Sequence, residues 1–168
     1  HAGLSNAIPA TTVNKMCGSG MKAVMLGYDQ LASGDVSSVI AGGMESMTNA
    51  PYLSSGLRGG SRLGHQTLTD HMFLDGLEDA YDKGVLMGCF AEDCAEHYQF
   101  SRADQDDYAL SSLSRALAAQ KDGRFEAEIT PITIEGRKQT LTISKDEQPV
   151  TARPEKIPSL RPAFAKDG

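Results

Sequence analysis

A cysteine set between a short β-prone run and the first turn of an amphipathic helix constrains this chain more than any other feature. Thr11, Thr12 and Val13 lead through Asn14, Lys15 and Met16 into Cys17-Gly18-Ser19-Gly20-Met21. Met21, Val24, Met25, Tyr28, Leu31 and Ala32 then recur at helical spacing, and Gly34 stands where such a helix would end. Val36 to Ala41 follows as a short run before Gly42-Gly43, the pattern of a buried strand. Strand, helix and strand in that order specify an α/β core, with the helix packed on a sheet and its methionines filling space between them. The order also puts a thiol at a helix N-terminus, where unpaired N–H groups and the helix dipole favour thiolate over thiol. Gly18 and Gly20 let the backbone come close to a substrate. Two readings are open at this point: a nucleophile that forms a covalent intermediate, or a small buried residue in a tight turn.

The texture changes near residue 48. Thr48 to Leu68 is rich in Ser, Gly, Pro and Arg and reads as loop. Helices are expected over Thr69–Tyr81 and Gly88–Tyr98, with Glu78, Asp79 and Asp82 forming a solvated helix face. Ser101 with Asp104 is a capping signature, and Ala109, Leu110, Leu113, Ala116 and Leu117 mark the apolar stripe of a helix ending near Asp122-Gly123. Alternation over Glu128–Ile134 and Thr140–Ile143, with Glu135-Gly136-Arg137-Lys138 between, predicts a hairpin. Pro149, Pro154, Pro158 and Pro162 predict an extended final segment. The expected division is therefore 1–47, part of an α/β core carrying the cysteine, and 48–168, mainly helical with one hairpin.

Of the 168 residues, 22 are acidic and 16 basic, for a net charge of -6. That balance gives no reason to expect a nucleic-acid partner. No apolar run is long enough to span a bilayer, and the first residues carry no signal-peptide pattern, the true N-terminus being expected to lie upstream of His1. Cys17, Cys89 and Cys94 lack metal-like spacing, which argues against a zinc site or a disulfide framework. A thiol that must stay free favours a reducing compartment. The bacterial cytoplasm is the expected location, with the mitochondrial and peroxisomal matrix as alternatives.

Beyond the cysteine turn, a series of segments resembles the thiolase family. Val13-Asn14, Cys17-Gly18-Ser19-Gly20, Ala23-Val24 and Leu31 are similar to the family's acyl-enzyme segment. Ala32-Ser33-Gly34-Asp35 and Ala41-Gly42-Gly43-Met44-Glu45-Ser46-Met47 look like its next signature. Leu57-Arg58-Gly59-Gly60, Asp75-Gly76-Leu77, Met87-Gly88, Ala91-Glu92, Ser101-Arg102 and Gln105-Asp106 follow in the family's order. Gln120 to Phe125, Glu128-Ile129 and Leu160-Arg161-Pro162-Ala163-Phe164 complete the series, so the resemblance covers nearly the whole chain.

The resemblance implies part of a layered α-β-α thiolase core in 1–47 and a truncated loop domain covering the active site in 48–168. It implies ping-pong acyl transfer between coenzyme A thioesters and Cys17, as 3-ketoacyl-CoA thiolysis or acetoacetyl-CoA formation in fatty acid metabolism. The Cys17 N–H would help hold the oxyanion, a fixed dipole contributing ~3 kcal/mol. Asn14, Ser19 and Gly20 shape the turn. Leu77 and Met87 match positions lining the coenzyme A and substrate pocket, core packing being their alternative. Coenzyme A enters as a substrate, no cofactor is held permanently, and the complete protein is expected to be a homodimer or homotetramer. The basic stretch after Gly136 would meet its phosphates, with Arg153 and Lys156 chosen, against a solvated loop.

Departures from the family pattern bear on completeness. The family's catalytic histidine lies in Gly-His-Pro and its second cysteine in Cys-x-Gly, both in the C-terminal half. Here Gly64-His65-Gln66 lacks the proline, and Cys89-Phe90-Ala91 and Cys94-Ala95-Glu96 lack the glycine. An internal piece of a longer enzyme, inactive by itself, is the expectation. Leu86 stands where some relatives place a histidine before Met-Gly, and Pro149-Val150-Thr151 lacks an arginine found in others. Two other readings are a non-catalytic acyl-CoA-binding relative and a cysteine hydrolase using His65, His71 or His97 as base.

Overall fold

Helix α1 (Ser19–Ser33) forms where the apolar spacing predicts it, with Gly18 as N-cap. Gly34 closes it in the left-handed conformation (φ 80°, ψ 9°), donating its N–H to Leu31 O at 3.2 Å. Glycine takes that conformation without the steric cost of a Cβ. The computed structural model describes residues 3–168, which fall into two compact units, His1–Met87 and Gly88–Gly168. Proximity thus divides the chain at a different point from the change of composition at residue 48.

In the first unit the 36–41 segment lies against α1. Val24, Gly27, Tyr28 and Leu31 of the helix share an open groove with Val39 and Ala41. Gly27 is the one buried position among the described residues. A Cβ placed on it would stand 3.0 Å from Val39 Cγ1 and 3.7 Å from the Cβ of Ala41. Gly27→Val in the complete protein should therefore lower stability by about 1–3 kcal/mol, the usual range for overpacking. Denaturant titration checks this, and an unchanged midpoint would mean that the segment does not press on the helix in solution.

The two expected strands need correction. Neither Thr11–Val13 nor Val36–Ala41 joins a ladder among the described residues. A strand exists through the N–H and C=O groups of a paired neighbour, and among the described residues neither segment makes that pairing. The pairing in this unit is instead between β1 (Tyr52–Leu53) and β2 (Thr69–Asp70), antiparallel with Tyr52 opposite Asp70. These close the expected loop, which also contains single turns at Met47–Asn49 and Leu57–Gly59.

Of the helix expected over Thr69–Tyr81, only residues 71–77 are helical. Its first two residues are β2, and a π-helical turn at Phe73–Leu77 ends at Glu78, whose backbone is extended. Asp70 Oδ1 takes the Met72 N–H at 2.9 Å, and Asp79 Oδ1 takes those of Tyr81 and Asp82 at 2.9 and 2.7 Å. Asp70 thus caps the start of this short helix, while Asp79, past its end, captures backbone donors that a continued helix would use. The acidic cluster organises a loop and is not a solvated helix face.

The second unit follows its local signals more closely. Helix α2 (Met87–Tyr98) gives way to Gln99, whose φ of 57° reverses the chain so that Phe100 N–H reaches Ala95 O at 2.9 Å. Helix α3 (Arg102–Lys121) opens on a full capping box: Asp104 N–H reaches Ser101 Oγ at 3.2 Å, and Ser101 N–H reaches Asp104 Oδ2 at 3.0 Å. The Ser101 hydroxyl and N–H hold the Asp104 carboxyl below its ordinary value of 3.8. Strands β3 (Ile132–Glu135) and β4 (Thr140–Ile143) form the expected hairpin, with Ile132 opposite Ile143.

The proline-rich end is helical where an extended chain was expected. Helix α4 (Glu147–Thr151) contains Pro149, and a 3-10 segment at Pro154–Ser159 starts on Pro154. Proline is tolerated in a first turn because the N–H it lacks has no partner there anyway. Arg102 ties this segment down, donating from Nη2 to Leu160 O at 2.8 Å while its Nε meets Asp106 at 2.9 Å. Phe164 lies so close to Gly88 that any side chain there would overlap its ring.

No large hydrophobic residue is buried among those described. The chain exposes 14978 Å², whereas a compact monomer of this mass exposes only ~8,000 Å². The helices have their apolar faces but not the surfaces that would cover them. Among the described residues, no helix is long and apolar enough to cross a membrane.

Candidate active site

Cys17 is exposed and carries a free thiol at the head of α1. The turn that presents it is unusual one residue earlier: Met16 has φ 47°, a left-handed conformation that is costly for a long side chain. Three hydrogen bonds hold it there. Asn14 Oδ1 accepts the Met16 N–H at 2.9 Å, Ser19 Oγ accepts the Lys15 N–H at 2.9 Å, and the Ser19 hydroxyl donates to Met16 O at 2.7 Å. Gly18 N–H closes the turn on Lys15 O at 3.0 Å. Asn14 and Ser19 therefore act as the clamp of the turn, as their side chains predict.

The clamp leaves donors open. Among the described residues, the backbone N–H groups of Cys17, Gly20 and Met21 meet no acceptor. They lie around the first turn of α1, where the helix dipole adds positive character. Gly43 of the Gly42-Gly43 pair returns to this place, since a Cβ on it would stand 3.9 Å from Gly20 Cα. The approach brings the Gly-Gly-Met segment beside the cysteine turn. An exposed thiol and unpaired N–H donors are the elements needed to form an acyl-sulfur bond and hold the oxygen of its tetrahedral intermediate.

The other expected site residues are also located. Leu77 ends the π-helical turn and Met87 begins α2, and an antiparallel bridge between Glu78 and Leu86 sets them across from each other. Both are exposed, like the other large apolar residues of the described chain. Arg153 and Lys156 lie in the second unit, at the start of and within the 3-10 segment, exposed and without an ion pair among the described residues. The histidines proposed as bases are placed otherwise. His71 pairs with Asp75 at 2.9 Å, His97 meets Tyr98 edge to face, and no hydrogen bond joins His65 or His71 to Cys17. Nothing in the residue order signals the strain at Met16, because a left-handed non-glycine is imposed by its surroundings. The approach of Gly43 to Gly20 is hinted at only by the paired glycines.

The "Thiolase, N-terminal domain" family model matches residues 1–168. The chain belongs to the thiolase family. It is 45% identical to an acetyl-CoA acetyltransferase of Saccharomyces cerevisiae, over 99% of this chain and 42% of that protein. A probable acetyl-CoA acyltransferase of Staphylococcus epidermidis is 47% identical, over 100% of this chain and 43% of the relative. In three dimensions the crystal structure of the Bacillus anthracis acetyl-CoA acetyltransferase matches with a TM-score of 0.82 and 39% identity, over 93% of this chain and 39% of that one. This thiolase chain thus spans about two-fifths of the length of these relatives and has the α/β fold of the N-terminal thiolase region.

Proposed function

We propose that the protein carrying this thiolase chain exchanges acyl groups between coenzyme A thioesters and Cys17. The observation that carries the reading is the clamped turn: a strained Met16 holds an exposed thiol beside unpaired N–H donors at the head of α1. In the degradative direction the thiolate attacks the keto carbon of a 3-ketoacyl-CoA. The carbon–carbon bond breaks, acetyl-CoA leaves after its carbanion takes a proton, and the acyl group stays on sulfur until the thiol of coenzyme A accepts it. In the synthetic direction Cys17 is acetylated first, and a second acetyl-CoA loses a methyl proton to condense with it. Proton transfer belongs to groups outside residues 1–168, in line with the missing Gly-His-Pro and Cys-x-Gly segments. The hydrolase reading lacks support in the first unit, where no hydrogen bond joins His65 or His71 to Cys17, although Asp75 does orient His71.

Brief incubation of the complete protein with acetyl-CoA should leave one acetyl group on the peptide containing Cys17, read by mass spectrometry. Label on Cys89 or Cys94 with Cys17 unmodified would overturn the assignment.

Residues 48–168 are proposed as the cap domain, with Arg153 and Lys156 near the nucleotide. Charge reversal at either should raise the KM for coenzyme A more than it lowers kcat, since such contacts hold ground state and transition state alike. If both variants keep the parent KM, the phosphates are held elsewhere. The cytoplasm and a homodimeric or homotetrameric assembly complete the proposal.

A further inference from the structure

The loop from Glu78 to Leu86 has its polarity reversed. The Glu78 side chain is only 10% exposed, whereas Leu77 and Met87, which flank the loop, are 37% and 44% exposed. A carboxylate is rarely drawn inward on a surface loop unless its oxygens are used. Here both are: Oε1 accepts the Gly84 N–H at 2.7 Å, and Oε2 lies 3.4 Å from Lys83 Nζ. Around this clamp, Asp79 N–H reaches Val85 O at 2.8 Å and Val85 N–H reaches Asp82 O at 3.1 Å. Asp79 Oδ1 fixes the tip through Tyr81 and Asp82, and those two N–H groups hold its carboxyl below the ordinary value of 3.8. Gly84, at φ 89°, supplies the reversal that aims its N–H at Glu78. The Glu78–Leu86 bridge then fixes the loop's two ends against each other.

We propose that Glu78 is a positioning residue. By clamping the 78–86 loop shut, it holds Leu77 and Met87 side by side as an apolar wall for the thioester arm of the substrate. The inference rests on the proposed acyl-CoA reading of Leu77 and Met87, and goes beyond it by naming what sets their spacing. Glu78 touches no reacting atom, and its effect is on binding.

The test uses the complete protein and acetoacetyl-CoA as substrate. Glu78→Ala removes the acceptor for Gly84 N–H, and Gly84→Ala strains the same hydrogen bond from the other side. Each should raise KM about fivefold or more while kcat stays within about twofold, the split expected when uniform binding is lost. Glu78→Gln keeps a carbonyl oxygen for Gly84 N–H and should stay close to the parent. A Glu78→Ala or Gly84→Ala variant with the parent KM overturns the proposal, as does a Glu78→Gln variant as impaired as Glu78→Ala. Should Glu78→Ala fail to fold, Gly84→Ala and Glu78→Gln decide by the same criteria. Leu77→Asp separates the two levels. If it raises KM while the clamp variants do not, the acyl-CoA reading stands and Glu78 is not the positioning group. If it also leaves KM unchanged, the reading of this wall fails.

Discussion

Cys17→Ser in the complete protein is expected to lower turnover on the order of 10³-fold or more. A thiol ionises at about pH 8.5 in the absence of help, whereas a hydroxyl ionises far beyond any physiological pH. The open N–H donors at the head of α1 remain in the variant, so substrate binding should persist while the covalent step fails. Serine is close to cysteine in size, and the side chain is exposed, so the fold should be unaffected. Steady-state thiolysis together with a thermal midpoint makes the comparison. Turnover within tenfold of the parent at an unchanged midpoint would show that the acyl group is carried elsewhere.

The 168-residue chain expressed alone is expected to show no cooperative unfolding transition and no thiolysis of acetoacetyl-CoA. Its apolar side chains are arranged on helix faces, yet none of the large ones is buried among the described residues. Ordering a residue costs about 1–2 kcal/mol of backbone entropy, and that cost is met chiefly by apolar burial. With ~8,000 Å² expected for a compact chain and 14978 Å² observed, the burial is too small to offset the ordering. Urea titration followed by circular dichroism, with a dye for exposed apolar surface, gives the readout. A single sharp transition, or activity approaching that of the complete protein, would falsify this expectation.

What was legible in the sequence was local. Spacing and a terminal glycine located α1, since both act within a few turns of chain. The Ser101–Asp104 pair located the start of α3 for the same reason: the bonds it makes span three residues. The hairpin was readable because its strands are joined by a short turn and pair with each other. The resemblance of the family segments is what pointed to Cys17 as the proposed acyl carrier, and the side chains of Asn14 and Ser19 shape its turn as expected.

The misreadings share a different cause. Thr69–Tyr81 has helical spacing, but Tyr52–Leu53 takes its first residues into a ladder and Asp79 diverts the backbone donors at its end, leaving a helix only over 71–77. The proline-rich end takes two short helical segments, one capped by Asp146 on Gln148 N–H and one closed by Leu160 N–H on Ile157 O. Arg102, far earlier in the chain, donates to the carbonyls of Ile157 and Leu160. The segments before and after α1 have strand composition but no ladder partner among the described residues. By itself the sequence determined which residues face one another within a turn or two, and so the helices, the cap and the thiol at a helix head. The left-handed Met16 is held within residues 14–19, yet no residue type there marks it. The return of Gly43 to Gly20 and the inward Glu78 were decided by the tertiary structure alone, because they depend on atoms brought together through space, and pattern along the chain does not encode that distance.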